Sequence, residues 1–223
     1  ARRPCNIIGT TSNIEICCYT LDFYANEAFP NGDDTPVRPC THRDHITREL
    51  LSTLSGLPAE DTPPTWTLIG AGSLGSKIAL HLGRAGRGPS TIIDSAMMAP
   101  HNAARHAIIP AEPDKQIMLM DMKARLLKEA LAGLSQNVTA ITDDIVDVFH
   151  SRALSKHACH NDTWAIVNTT ASLRARAALC TQTFRHRVIE ALLYANGSLG
   201  VIATEGANRN PDIGDIFTEL YAL

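Results

Sequence analysis

The stretch from Thr65 to Arg105, TWTLIGAGSLGSKIALHLGRAGRGPSTIIDSAMMAPHNAAR, constrains this chain more than any other. Trp66 to Ile69 is an apolar run suited to a strand buried on both faces of a parallel sheet. Gly70, Gly72 and Gly75 follow as G-x-G-x-x-G, and the amphipathic run from Lys77 to Ala85 predicts a helix. Glycines at that spacing provide a tight turn, close approach of backbone to a phosphate, and close helix–strand packing. Ser73 and Leu74 complete the loop, and the helix N-terminus offers N–H groups and a positive dipole end to an anion. A second apolar run, Thr91-Ile92-Ile93, ends at Asp94, about where a carboxylate can hydrogen-bond a ribose hydroxyl. A tight turn with an unrelated strand-end acid is the bland alternative. The full order of strand, glycine loop, helix, strand and acid favours nucleotide binding in an α/β, Rossmann-like, doubly wound and mainly parallel sheet.

At 223 residues the chain has material for one sizeable domain and an appendage. Its net charge of −3 gives no global basic field for nucleic acid or an anionic membrane. There is no apolar run of the about 18 residues that a spanning helix needs. The start, ARRPCNIIGTTS, has neither an initiator Met nor a signal-peptide core, so an upstream module is expected. Cys5, Cys17, Cys18, Cys40, Cys159 and Cys180 form no C-x-x-C pair, hence no four-cysteine zinc site is visible. Reduced thiols and a cytoplasmic location are the expectation. The N-x-S/T triplets at Asn137, Asn161, Asn168 and Asn196 read as chance.

Residues 1–60 read as a separate N-terminal strand and helix segment, and 61–223 as the main domain. Ile14 to Phe23 is strand-like, Asn26 to Pro39 reads as a loop, and Asp44 to Leu54 as a short helix stopped by Gly56. Further on, Lys115 to Leu134 carries Ile117, Met120, Ala124, Leu127, Leu131 and Leu134 on one stripe of a predicted helix. Val138 to Thr142 and Trp164 to Thr169 are predicted strands, and a helix opens at Asp143-Asp144. Leu173 to Phe184 reads as a helix. Val188 to Ala195 and Leu199 to Glu205 read as a hairpin about Asn196-Gly197-Ser198, and the tail as a loop and short helix. His157 and His160 lie at helical spacing without an acidic partner, so a solvated helix end is preferred to a metal site. Cys180, beside Leu179 in mid-helix, reads as buried filler rather than a nucleophile.

Asn102 lies eight residues after Asp94 and Arg105 eleven after it, in HNAAR, and Lys123 opens the helical pattern MKARLLKEAL. With the glycine loop and Asp94, these residues resemble the ThiF/MoeB/HesA superfamily of ubiquitin-activating-enzyme-like adenylyltransferases over about residues 65–205. The resemblance implies that Asp94 holds the ribose, while Asn102, Arg105 and Lys123 hold the triphosphate, with Arg105 and Lys123 catalytic. Lys115 is a rival for the lysine's role. It further implies an ATP- and magnesium-dependent nucleotidyltransferase, commonly a homodimer, that activates the C-terminal carboxylate of a ubiquitin-like or sulfur-carrier-like small protein. Arg176 is a further phosphate-stabilising candidate.

One position departs from the family pattern D-A-T-D-N-x-x-x-R. Alignment on Thr170 and Arg176 puts Ala171 where the second, magnesium-handling Asp belongs, and a methyl group cannot coordinate a metal. The expected result is binding with less metal dependence than is usual for an ATP site and slow adenylation, unless Asp143 or Asp144 substitutes. Two rivals follow: a catalytically impaired nucleotide-binding scaffold, and an NAD-dependent oxidoreductase supported by the glycines and Asp94.

Overall fold

The computed structural model describes residues 2–6, 12–21, 37–40, 45–57, 62–108 and 121–222. The chain divides between Ile46 and Thr47. In the smaller unit, β1 (Cys18–Leu21) pairs antiparallel with β2 (Val37–Cys40), bringing Cys18 opposite Cys40. Val37 to Pro39, read from composition as loop, therefore belong to a strand. Pro39, without an N–H to donate, is tolerated in so short a ribbon.

The larger unit begins with α1 (Arg48–Leu54), capped by the Thr47 hydroxyl, which accepts from Leu50 N, and left through Gly56 at φ +74°. This helix, grouped by sequence with the N-terminal segment, is tied into the larger unit. Arg48 Nε donates to Gly86 O at 2.8 Å and Ser52 Oγ to Ala85 O at 3.3 Å.

The central sheet and its cover then alternate. β3 (Thr65–Ile69) leads into α2 (Ser73–Arg84), then β4 (Thr91–Ile93), α3 (Lys123–Ala132) and β5 (Thr139–Ile141). Two short helices follow, α4 (Ile145–His150) and α5 (Arg152–Ala158), capped by Asp144 and Ser151 side chains. Next come β6 (Thr163–Asn168), α6 (Leu173–Cys180), β7 (Arg187–Tyr194), β8 (Leu199–Thr204) and α7 (Ile213–Ala222). The strand order is β5-β4-β3-β6-β7-β8; the first five are mutually parallel and β8 is the antiparallel edge.

All four strands predicted for the parallel part of the sheet are present, each within a residue of its expected bounds. α2 starts four residues earlier than the amphipathic pattern suggests, because Gly72 is its N-cap and Ser73 to Gly75 already lie in its first turn. The helix predicted over 115–134 is shorter among the described residues: α3 begins at Lys123, because Met122 is its extended N-cap at ψ 131° and bridges Met97, and it ends at Ala132 before Gly133. Lys115, Ile117 and Met120 lie outside the described residues. The hairpin turns through Ala195 to Gly197, with Ala195, Asn196 and Gly197 all at positive φ.

The β3 and β4 runs are apolar throughout because both faces of the sheet are covered. Trp66, Leu68 and Ile92 pack with Ala79, Ala124, Leu127 and Leu131 from α2 and α3. Ile69, Ile93 and Ile166 turn to the opposite face, against Val148, Ala158, Leu179 and Phe217 from α4 to α7. The sheet order reverses at β3 and β6, so their carboxyl ends open a crevice between them, the usual ligand position in such sheets.

Candidate functional site

The crevice is closed at its base by hydrogen bonds between the two loops. Gly70 leaves β3 at φ +92°, a backbone that favours glycine, and its carbonyl accepts from Thr169 Oγ1 at 2.7 Å. Thr169 N donates to Ile69 O at 2.8 Å. No side chain caps α2, so the N–H groups of its first turn face outward without a side-chain acceptor. A Cβ on Gly72 would meet nothing within 4 Å, whereas one on Gly75 would collide with Gly70 O and Thr169 Oγ1. The glycines thus separate as expected: Gly72 leaves room for a ligand, and Gly75 lets helix meet strand.

Asp94 follows β4 and is bound to the glycine loop. Its Oδ2 accepts from Ala71 N at 2.6 Å and its Oδ1 from Ala96 N at 2.7 Å. Ala96 O in turn accepts from Lys123 N at 3.0 Å, and Met97 bridges Met122. Asp94 and Lys123, 29 residues apart in sequence, are therefore held by one short chain of hydrogen bonds.

The Asn102–Ala107 segment is fastened to the same loop at three points. Ser73 Oγ donates to Arg105 O at 2.9 Å, Ala107 N donates to Ser76 Oγ at 3.1 Å, and His106 Nε2 lies 2.7 Å from Ala71 O. Asn102 Oδ1 accepts from Ala99 N, which stabilises the turn that presents Arg105. The outcome is two hollows that share Thr170. One, of about 160 Å³, is lined by Gly70, Asp94, Asp143, Asp144, Thr170 and Arg174. The other, of about 490 Å³, is lined by Gly72, Ser73, Leu74, Lys77, Asn102, Arg105, His106, Lys123, Thr170 and Ala171, and carries three cations and no carboxylate. Its size is in the range of small-molecule sites. Of the residues singled out from the sequence for nucleotide or phosphate binding, all line one of the two hollows except Gly75, which packs beneath them, Arg176, which is buried elsewhere, and Lys115, which lies outside the described residues.

Arg176 is not available to a phosphate. It is buried beneath the crevice, its guanidinium bidentate to the fully buried Glu190, with Nη2 to Oε1 at 2.6 Å, and stacked 3.7 Å over Phe217. Burial alone would lower its pKa, but the Glu190 carboxylate and the Tyr221 hydroxyl outweigh that and hold it above its ordinary value. Its work is indirect. Glu190 accepts from Asn168 Nδ2 at 3.1 Å, and Asn168 Oδ1 accepts from Thr170 N and Oγ1 at 3.2 and 2.8 Å. The pair thereby supports the loop that both hollows share.

The next residue, Ala171, sits at φ +53°, a left-handed conformation that costs alanine about 1 kcal/mol and that Asp and Asn adopt more readily. The donor set does not fit a protein-held magnesium ion in the larger hollow. Of the nearby acids, Asp94 is engaged by two N–H groups, Asp144 caps α4 through Val146 N and lies 3.6 Å from Arg174, and the exposed Asp143 lines the smaller hollow and not the larger. Among the described residues no three His, Cys, Asp or Glu side chains converge as metal ligands. The His157 and His160 rings stand edge to face at 6.2 Å. Burial pushes the Cys159 thiol up to about 12 and raises that of Cys180 as well, so neither is a thiolate at neutral pH.

Two cavity residues, Lys77 and His106, escaped the sequence reading. His106 is buried, with Nδ1 accepting from Ile108 N at 3.2 Å, which leaves Nε2 as the N–H donor to Ala71 O. Burial first, then Lys123 and Lys77, hold its pKa below the ordinary 6.5 against the opposing pull of Ala71 O and Asp94. Above that ordinary value both folded and unfolded forms are neutral. As pH falls below it, the unfolded chain takes up its proton first and stability drops until the lower folded value is passed. Protonation would also set an Nδ1–H against the Ile108 N–H. Urea unfolding from about pH 7.5 to about pH 5.5 should show this decline in the parent and a smaller one in His106→Asn. The Asn variant should also be less stable at neutral pH by about 1–3 kcal/mol, since Ala71 O loses a buried donor. Equal slopes in the two proteins would remove His106 as the cause.

Fold and site together define a doubly wound α/β protein whose switch point carries an acid-lined hollow beside a cation-lined one. No protein-family model matches the sequence, and no curated protein does. Among solved structures, the E. coli tRNA N6-threonylcarbamoyladenosine dehydratase TcdA is similar at 24% identity and a TM-score of 0.41. Structures of TcdA (CsdL) and of the same E. coli dehydratase in complex with AMP are each similar at 23% identity, with TM-scores of 0.40 and 0.41. In all three, 52% of this chain and 44% of the other are covered, so the chain matches less than half the length of these proteins. Among the described residues no helix is long and apolar enough to cross a membrane.

Proposed function

We propose that this chain is the ATP-binding core of an adenylyltransferase of the ThiF/MoeB/HesA type, which joins AMP to the C-terminal carboxylate of a small ubiquitin-like or sulfur-carrier-like protein. The observation that carries the reading is the pair of hollows about Thr170, one offering Asp94 to a ribose and the other offering Arg105 and Lys123 to a polyphosphate. An NAD-dependent oxidoreductase would use the glycine loop and Asp94 but leave both cations without a role. The reading includes a cytoplasmic homodimer, the usual arrangement in the family that the motifs resemble.

A carboxylate is a poor electrophile, because hydroxide or oxide is a poor leaving group. In the proposed step a carboxylate oxygen of the partner forms a bond to the α-phosphorus, and the bond from that phosphorus to the bridging oxygen breaks. Pyrophosphate leaves with the electron pair, and the acyl group then has AMP as its leaving group. Arg105 and Lys123, held by the glycine loop and the Asp94–Ala96 chain, supply preorganised positive charge where negative charge develops.

A second reading, a nucleotide-binding scaffold with impaired chemistry, is favoured by Ala171 and by the lack of a candidate transfer cysteine among the described residues of the larger unit, since Cys159 and Cys180 are held as thiols. Pyrophosphate exchange separates the two. With ATP, labelled pyrophosphate and a ubiquitin-like protein bearing a free C-terminal carboxylate, exchange should appear and should fall in Arg105→Ala and Lys123→Ala. ATP binding without exchange for any such partner supports the scaffold, and absence of ATP binding contradicts both readings.

A further inference from the structure

We propose that Lys77 is the third phosphate-binding cation of the larger hollow, and that this hollow takes a nucleoside polyphosphate as the metal-free anion. The proposal rests on the ATP reading above and extends it to the ionic form of the ligand. Lys77 lies five residues past the Gly72 N-cap, on the turn of α2 that follows the glycine loop, and lines the hollow with Arg105 and Lys123. It is close enough, with Lys123, to act electrostatically on His106, which binds Ala71 of the glycine loop. Among the described residues no carboxylate pairs with Lys77, Arg105 or Lys123.

The charges decide the form of the ligand. A nucleoside triphosphate carries about four negative charges at neutral pH, two of them on the terminal phosphate. Three cations and the roughly half-unit of positive charge at the α2 N-terminus nearly neutralise that anion. A magnesium complex carries about two negative charges and would leave the hollow with an excess of positive charge of more than one unit. The walls hold no carboxylate to offset it, and Ala171 stands in the loop from which one would reach in. The nearest acids line the other hollow, where Asp94 and Asp144 already accept from backbone N–H groups and Asp143 is exposed. Lys77 thus performs, as a fixed charge, the neutralisation that a bound divalent ion performs elsewhere.

The test is ATP, ADP and AMP binding by calorimetry, with EDTA or with excess magnesium, on the parent, Lys77→Met, Lys77→Arg and Asp143→Asn. The parent should bind ATP at least as tightly in EDTA as in magnesium. Lys77→Met should lose about tenfold in metal-free ATP affinity, with a smaller loss for AMP, and Lys77→Arg should recover most of it. Lys77 is exposed, so thermal unfolding of the Met variant should match the parent and separate binding from folding. Binding that needs magnesium and survives in Lys77→Met overturns the proposal while leaving the ATP reading intact. Magnesium-dependent binding lost in Asp143→Asn overturns it too, by giving the metal a protein ligand. No ATP binding in either condition overturns both.

Discussion

Arg176→Met is expected to lower the free energy of unfolding by about 3–5 kcal/mol, the usual consequence of stranding one member of a buried ion pair. Glu190 is fully buried in β7, and Arg176 supplies three of the four hydrogen-bond contacts that its side chain makes. Without the guanidinium a carboxylate would remain in an apolar layer with one amide for company, so it would take up a proton or draw water into the core. The loss should be measurable as a shift in the urea midpoint at unchanged slope. Arg176→Met combined with Glu190→Met should recover much of the stability, because a well-packed apolar pair replaces an ionic one at little cost. The double variant should still bind nucleotide weakly, since Asn168 has then lost the acceptor that aligns it under Thr170. A single Arg176→Met variant within about 1 kcal/mol of the parent would contradict this account of the pair.

Gly75→Ala is expected to be the second most damaging change, and for a different reason. The added methyl would strike the Gly70 carbonyl, which is backbone and cannot rotate away, and would press on Thr169 Oγ1 at 2.5 Å. Relief requires α2 to move off β3, which breaks the Thr169 Oγ1 bond to Gly70 O and disturbs the clips from Ser73, Ser76 and His106. Overpacking of this kind costs about 1–3 kcal/mol or more, and nucleotide binding should disappear with it. Gly72→Ala is the control, because its Cβ meets open space at a φ of −79°. That variant should melt like the parent yet bind phosphate more weakly, since the space it fills is the space a phosphate would occupy. Equal thermal stability of the two variants would refute the division of roles between these glycines.

The contrast between what was legible in the sequence and what was not follows the range of the interactions. The parallel strands were legible because burial on both faces leaves uninterrupted apolar runs, as at Leu68-Ile69 and Ile92-Ile93. The glycine loop and the strand-end Asp94 were legible because the spacing is local and each residue type has few other uses there. Arg176 was misread because its spacing within its own segment matched a phosphate role, while its actual partner lies fourteen residues on. The signal was present in RVIEALLY, where a lone Glu in an otherwise apolar strand requires a buried cation. Lys77 looked like the polar face of an amphipathic helix, which it also is, and only the three-dimensional return of Arg105 and Lys123 makes it part of a site. His106 was unremarked for a similar reason: its partner, Ala71 O, is a backbone atom 35 residues away. The two short strands of the smaller unit were half legible, since the second contains a proline and sits among loop-forming residues.

On the proposed reading, the switch point holds ATP through Asp94 on one side and Arg105 and Lys123 on the other. The most direct measurement is calorimetric titration of the parent and Arg105→Ala with ATP and with NAD. The parent should bind ATP at least about tenfold more tightly than NAD, which lacks the terminal phosphates that the cations address. Arg105→Ala should lose roughly ten- to a hundredfold in ATP affinity, the worth of a charge-assisted phosphate contact of about 1.5–3 kcal/mol, while its NAD affinity stays nearly unchanged. Tighter binding of NAD than of ATP, or ATP affinity unmoved by Arg105→Ala, would contradict it.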